Sequence, residues 1–465
     1  MFKRIYLLVI LFGSSLFYGC EDMIRIDPPL DQVVAEDVFK SDVTAKAALS
    51  GLYSSFSQSQ TQLQQLTIAA GLAADELRYF RAVTGTSEVA ANTYNSTNTT
   101  VYSLFQDFYG AIYKANSVIE GAAAGSITPA LKVRLTAEAK FLRAYCYFYL
   151  VTLFDGVPLV LQTDVNATAM LPRNTTADVY TQIVKDLLEA RADLPHDYAN
   201  SGGFRYGANY YAATALLARV YLFTGQYALA ESSAGEVIAK SDLYTLIPSA
   251  NLANGVFAQN NSEAIFQFMA WLTSTNRYTS EGSAFVPSAT ATAVSYGITT
   301  TLVNAFEPGD LRRTAWIKDV TFSGVAYYVP YKYKNTTSIT TVTAGEYPTV
   351  LRLAEQYLIR AEARARIGSD VNGALADLNV IRTRAGLTES TTSDATALIS
   401  AILEEKRKEL FLELGHRWID LRRSGTIDAV MNNAKNTWVT TAALFPIPQA
   451  AVDANPNLLP NNPGY

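Results

Sequence analysis

YYAATALLARVYLFTGQYALAESSAGEVIAK, residues 210–240, decides the fold class of this chain. Tyr211, Ala215, Ala218 and Leu222 stand 4, 3 and 4 apart, and Tyr227, Ala230, Ala234 and Val237 follow at 3, 4 and 3. Side chains so spaced share one face of an α-helix. Gly225 separates the two runs, and a glycine ends a helix well because it enters left-handed backbone space without a Cβ clash. The stretch therefore reads as two amphipathic helices and a tight turn, with small residues where the helices face each other so that they can approach closely.

The pattern returns at LRLAEQYLIRAEARARIGSDVNGALADLNVIRTRAG, residues 351–386. There Leu351, Ala354, Leu358, Ala361 and Ala365 are spaced 3, 4, 3 and 4 before Gly368, and Ala374, Leu378 and Ile381 continue beyond it. Two less regular pairs join residues 36–56 with 101–122 and 131–154 with 176–194. A lone helix pair cannot bury its apolar face, but stacked pairs can. The expected fold is mainly α, a TPR-like helical-repeat solenoid of about four helix pairs. Two polar excursions interrupt it, at 79–100 and 251–345, the second with strand-like pieces EAIFQF, VAYYVPYKY and SITTVT. These are the irregular, loop-rich insertions, and binding residues concentrate on such loops when a rigid frame carries them.

Composition narrows the chemistry. With 465 residues, 49% of them apolar and 17% charged, the chain can bury a large core. Its formal charge of −5 becomes −7 if a leader carrying Lys3 and Arg4 is removed, which disfavours nucleic acid as a partner. Two histidines, His196 and His416, and two cysteines supply no zinc-ligand pattern, so neither metal nor cofactor is expected. No Gly-x-Ser-x-Gly elbow seats a nucleophile. Cys146, inside FLRAYCYFYLVTLF, is expected to be a buried and inert thiol.

The N-terminus reads MFKRIYLLVILFGSSLFYGCED. Its apolar run from Ile5 to Tyr18 is 14 residues, roughly 20 Å as a helix, too short for a bilayer core of about 30 Å. The basic start and small Gly19 fit a signal peptide instead. Leu16 to Cys20 resembles a bacterial lipobox, which makes Cys20 the expected lipidation site. The expected division is a leader at 1–19, a lipid tether at 20–35, an N-terminal helical part at 36–250, the irregular insertion at 251–345, and a C-terminal repeat, helix and cap at 346–465.

EKRKELFLELGHRWIDLRRSGTI, residues 405–427, closely resembles the hallmark helix of the SusD/RagB family of outer-membrane nutrient-binding lipoproteins. YPTVLRLAEQYLIRAEARAR, FEPGDLRR, YKY, FLRAYCYFYLVTLFDGVPLV with LPRNTTADVYTQIVKDLLEA, and the terminal FPIPQAAVDANPNLLPNNPGY follow the family's order. The resemblance implies a lipoprotein on the outer face of the outer membrane, anchored there through Cys20. It implies a lid over a SusC-like TonB-dependent porin, to which it delivers a captured oligosaccharide without covalent chemistry. Glu21 and Asp22 look like the acidic address of such surface lipoproteins. The alternatives are a peptide-capturing RagB-like lid and a glycoside hydrolase. A hydrolase needs two carboxylates about 5–9.5 Å apart, and no pair is singled out by spacing.

Along the hallmark segment, Ile399, Leu403, Leu410, Leu414 and Leu421 mark an apolar face with Arg407 and Arg417 near it. Those charges are expected to be paired structurally, Glu413 with Arg417 among them, and His416 to lie on the helix surface. Ligand contacts are sought in the excursions, because sugars stack on flat rings and their hydroxyls need Arg, Asn and Asp. The candidates are Asp75, Arg78, Tyr79, Arg81, Tyr94 and Asn98 in the first, and Trp271, Asn276, Arg277, Tyr278 and Tyr296 in the second. Trp316, Trp418 and Trp438 read as packing residues.

Overall fold

A computed structural model describes residues 35–56, 62–270, 278–288, 290–336 and 345–465. The longer helices are α1 (Asp42–Ser54), α2 (Gln62–Ala73), α3 (Thr84–Ala91), α4 (Thr99–Ala124), α5 (Pro129–Phe154), α6 (Thr176–Asp193), α7 (Tyr210–Phe223), α8 (Tyr227–Ala239), α9 (Leu353–Ile367), α10 (Val371–Arg384), α11 (Ala395–Leu410), α12 (His416–Arg423) and α13 (Ile427–Ala434). Local chemistry sets their ends. Pro129 starts α5, where a missing amide costs nothing. Thr175 and Asp178 close a capping box on α6, and Asn209 accepts the Ala212 amide at 2.8 Å to cap α7. Gly225 (φ +73°) makes the α7–α8 turn and Gly368 (φ +78°) stops α9.

The fold is mainly helical, as the periodicity predicts. Packing runs in series from α4 through α5, α6, α7, α8 and α9 to α10, with α11 also against α9 and α1 against α4 and α5. Every residue of α5 from Phe141 to Phe154 is buried, Cys146 included, and burial pushes its thiol well up. Each such large apolar side chain contributes about 1.5–3 kcal/mol by leaving water. Trp316, Trp418 and Trp438 are buried, and the Trp316 indole donates to the Leu252 carbonyl at 3.0 Å.

Short antiparallel pairs lie in and beside the excursions. The strands are β1 (Leu77–Tyr79), β2 (Ala264–Gln267), β3 (Tyr296–Ile298), β4 (Ile317–Phe322), β5 (Val325–Pro330) and β6 (Thr349–Arg352). β1 pairs with β3, β2 with β6, and β4 with β5 through a turn in which Ser323 and Gly324 are both left-handed. EAIFQF and VAYYVPYKY thus contain β2 and β5, while SITTVT lies outside the described residues. The 79–100 excursion is less irregular than expected: it contains α3 and leads directly into α4.

The hallmark segment departs from a single helix. Leu412, Leu414 and Gly415 have φ of 49°, 49° and 79°, so the chain turns between α11 and α12. Two leucines in left-handed space are costly, on the order of 1–2 kcal/mol each, and the surrounding contacts hold them there. The turn redirects every later side chain, which accounts for two corrections. His416 is buried at 6% exposure, not on the surface, and burial with cations nearby holds its pKa well below the usual histidine range. Arg417 pairs with Asp75, whereas Glu413 pairs with Arg352 at 2.8 Å and with Lys332. Arg352 also meets Glu263 at 3.0 Å and Glu409 at 2.6 Å, and Arg312 joins Asp310, Glu405 and Glu409. Charges so deeply buried are tolerated because each has several opposite partners.

Candidate ligand-binding face

The site grows from a two-strand ribbon at the junction of the two excursions. β1 and β3 pair Leu77 with Ile298, Arg78 with Gly297 and Tyr79 with Tyr296, and the Phe80 amide donates to the Ser295 carbonyl at 2.9 Å. Leu77 and Ile298 sink into the core and fix the ribbon's inner end. Alternation along the strand then sends Arg78 and Phe80 to one face and Tyr79 and Arg81 to the other.

Each face carries rings. The Tyr79 and Tyr296 rings are 5.2 Å apart, tilted by 35°, and Phe285 meets Tyr296 edge-on at 5.8 Å. Burial beside Tyr79 pushes the Tyr296 phenol up to about 12, so it remains a neutral hydroxyl. On the opposite face the Arg78 guanidinium lies 5.3 Å over the Phe80 ring, which meets Tyr327 of β5 edge-on at 5.2 Å. Gly297 lets Phe80 pack this closely, since a Cβ there would sit 2.8 Å from Phe80 Cε2 and push the ring outward. Arg81 is exposed and donates from Nε to Ser295 Oγ at 3.2 Å.

The inner end is clamped by the hallmark region. Asp75 Oδ1 and Oδ2 accept from Arg417 at 2.8 and 3.1 Å, and Oδ2 also from Arg407 at 2.7 Å. Burial alone would raise the Asp75 pKa, but the Arg417 hydrogen bonds and the two arginine charges outweigh it and hold the carboxyl low. Thr299, directly after β3, donates its hydroxyl to the Asp75 carbonyl at 2.7 Å and its amide to the Glu76 carbonyl at 3.0 Å. Both strands therefore hang from one buried ion cluster.

Two hollows flank the ribbon. One, of about 470 Å³, is lined by Asp75, Arg78, Tyr79, Ser87, Thr299 to Thr301 and Lys435. Lys435 donates to the carbonyls of Leu72 and Ala73 and to Asn92 Oδ1, and burial draws its pKa down to about 7. The other, of about 250 Å³, is lined by Arg81, Phe285, Ser288, Ser295 and Thr336 among others. Flat rings beside guanidinium and hydroxyl donors suit a ligand with apolar faces and a hydroxyl rim.

Of the residues expected from sequence, Asp75, Arg78, Tyr79, Arg81 and Tyr296 come together here, with Asp75 committed to its two arginines. Tyr94 and Asn98 serve the scaffold. The Tyr94 hydroxyl donates to the Ala442 carbonyl and its ring packs on Phe445 at 5.1 Å. Asn98 caps α4 by accepting the Val101 amide at 3.0 Å and donates to Glu88 at 2.7 Å. Tyr278 is half-buried. Trp271, Asn276, Arg277 and the lipidation residue Cys20 lie outside the described residues. Sequence reasoning missed Phe80, Phe285, Gly297, Tyr327 and Lys435. Phe80 lies between Tyr79 and Arg81, and its alternation with Arg78 is the signal that sequence offers for it; the others reach the ribbon only through tertiary packing.

A model described as the SusD family matches residues 311–465, and one described as starch-binding associating with outer membrane matches 30–222. A SusD-like protein of Formosa agariphila is 27% identical, aligned over 96% of this chain and 97% of its own length. A SusD-like protein of Bacteroides ovatus is 26% identical over 94% of this chain and 86% of its own. Among solved structures, a SusD superfamily protein from Bacteroides vulgatus superposes with a TM-score of 0.78 at 24% identity, covering 92% of this chain and 100% of that one. A laminarin-binding SusD-like protein gives 0.76 at 24% identity, with 92% and 100% covered.

Proposed function

The chain belongs to the SusD family, and from that premise we propose that it is a non-catalytic surface lipoprotein that captures an oligosaccharide and passes it to a SusC-like TonB-dependent porin. The observation that carries the binding half is the β1–β3 ribbon, where the Tyr79 and Tyr296 rings pair on the face that carries Arg81, and Arg78 lies over Phe80 on the other. Sugar C–H faces stack on such rings, and the guanidiniums donate to ring substituents. Asp75, the carboxylate at the ribbon's root, has both oxygens held by arginines, which supports binding rather than acid–base work. The transport half rests on the family and on the Leu16 to Cys20 lipobox, with several acyl chains needed for stable retention. Among the described residues no helix is long and apolar enough to cross a membrane.

Calorimetry against an oligosaccharide panel tests the capture step. Binding without turnover, weakened about tenfold by Tyr79→Ala or Tyr296→Ala, is the expected result. Release of new reducing ends would overturn the non-catalytic reading, and binding of peptides alone would replace the ligand class. Mass spectrometry of the mature N-terminus tests acylation of Cys20. Co-purification of a barrel protein from solubilised outer membranes tests the porin partnership.

A further inference from the structure

Resting on the glycan-capture reading, we propose that the ligand is an anionic glycan whose carboxylate or sulfate groups are met by Arg78 and Arg81. Among the described residues most guanidiniums meet a carboxylate, as Arg219 meets Glu355, Arg143 Asp186, Arg360 Asp377, and Arg352 and Arg312 several acids each, and the other unpaired ones, Arg173, Arg191, Arg205 and Arg422, are wholly or partly buried. Even the neighbouring Arg313 is met by Asp319 at 2.8 Å. Arg78 and Arg81 differ. Both are exposed, and among the described residues neither has a carboxylate within ion-pair distance; Arg78 contacts the Phe80 ring and Arg81 the Ser295 hydroxyl.

Nearby acids do not cancel them. The Asp75 carboxylate is committed to Arg407 and Arg417, and Glu88 accepts from Asn98. Lys435 also lines the larger hollow, but its ammonium is held by the Leu72 and Ala73 carbonyls and Asn92 Oδ1, so the two arginines carry the anion-binding charge. The chain as a whole is acidic, with a formal charge of −5, so a polyanion would be repelled unless a local reversal of sign received it. The ribbon provides that reversal, and on each face it places one guanidinium beside one ring or ring pair. A charged sugar offers both complements, an apolar ring face and a carboxylate or sulfate that a guanidinium can grip with two parallel hydrogen bonds.

The test is calorimetry on the mature protein with four probes: laminarin and dextran as neutral glycans, oligoalginate as a polyuronate, and a κ-carrageenan oligosaccharide as a sulfate ester. One anionic probe is expected to bind at least about tenfold more tightly than either neutral one, and which one binds distinguishes carboxylate from sulfate. That affinity should fall as salt is raised from about 50 to about 300 mM, because the Debye length, about 8 Å at physiological ionic strength, shortens. Arg78→Gln and Arg81→Gln should each weaken it about tenfold or more, with partial rescue by Arg78→Lys and Arg81→Lys. Equal or tighter binding of a neutral probe overturns the anionic assignment and leaves glycan capture standing. Anion binding that survives both glutamine variants also overturns it. Failure of all four probes counts against both readings.

Discussion

Arg417 grips Asp75 through two hydrogen bonds, Nε to Oδ1 at 2.8 Å and Nη2 to Oδ2 at 3.1 Å, across a sequence separation of 342 residues. Arg407 adds a third at 2.7 Å. Because Thr299 hangs from the Asp75 and Glu76 carbonyls, this one ion cluster positions both strands of the β1–β3 ribbon. The hallmark region thereby fixes the root of the ribbon proposed to bind ligand.

Removing one partner of this cluster leaves buried charge uncompensated. Arg417→Gln is expected to destabilise the protein by about 3 kcal/mol, read by chemical denaturation. Hydrogen exchange at residues 77–80 and 296–299 should accelerate more than in α7, because the ribbon loses its anchor. Uniform acceleration across the chain would show a scaffold effect with no special tie to the ribbon.

Glu76 gives a pH dependence of defined sign. Burial first, and then the Asp75 charge, raise its pKa from the ordinary 4.5 to about 7, with the Leu412 amide, Arg417 and Lys332 opposing. The unfolded chain releases this proton near 4.5 and the folded chain near 7, so the native state holds more protons between those values. Stability therefore falls as pH rises through that window, by at most about 3 kcal/mol from this group. Glu281, raised by burial to about 7, adds a decline of the same sign. Denaturation from pH 5 to pH 7 should show a shallower decline in Glu76→Gln than in wild type. Parallel curves would assign the decline elsewhere.

Gly297→Ala separates binding from stability. The new Cβ would meet Phe80 Cε2 at 2.8 Å and the Tyr328 carbonyl at 3.3 Å. Phe80 is 38% exposed and can swing outward, so the expected cost is only about 1 kcal/mol. Glycan affinity should fall several-fold because the Arg78–Phe80–Tyr327 arrangement is disturbed. Unchanged affinity would remove that face from the site.

Arg352→Met probes the main ion network. Arg352 serves Glu263, Glu409 and Glu413, and its loss strands three buried acids in part. Destabilisation of about 3–5 kcal/mol is expected, with glycan affinity of the folded fraction unchanged in calorimetry. A loss of affinity at full folding would tie the network directly to the ligand.

Helices and their turns were legible because they are local. Spacings of 3 and 4 with Gly225 or Gly368 at the break express one repeating backbone geometry, so the α7–α8 and α9–α10 hairpins follow from neighbouring residues alone. Half of the ribbon was legible for the same reason, through the polar and aromatic run from Arg78 to Arg81. What sequence could not decide was which distant groups would meet. The left-handed turn at Leu412 to Gly415 swings Arg417 away from Glu413, its local partner at helical spacing, and toward Asp75. It also carries His416 from the expected surface into the core. Sequence by itself thus determined the helical frame, whose energetics are set within a few residues. Only the tertiary structure decided the charge partners and the ribbon, because both depend on side chains brought together from opposite ends of the chain.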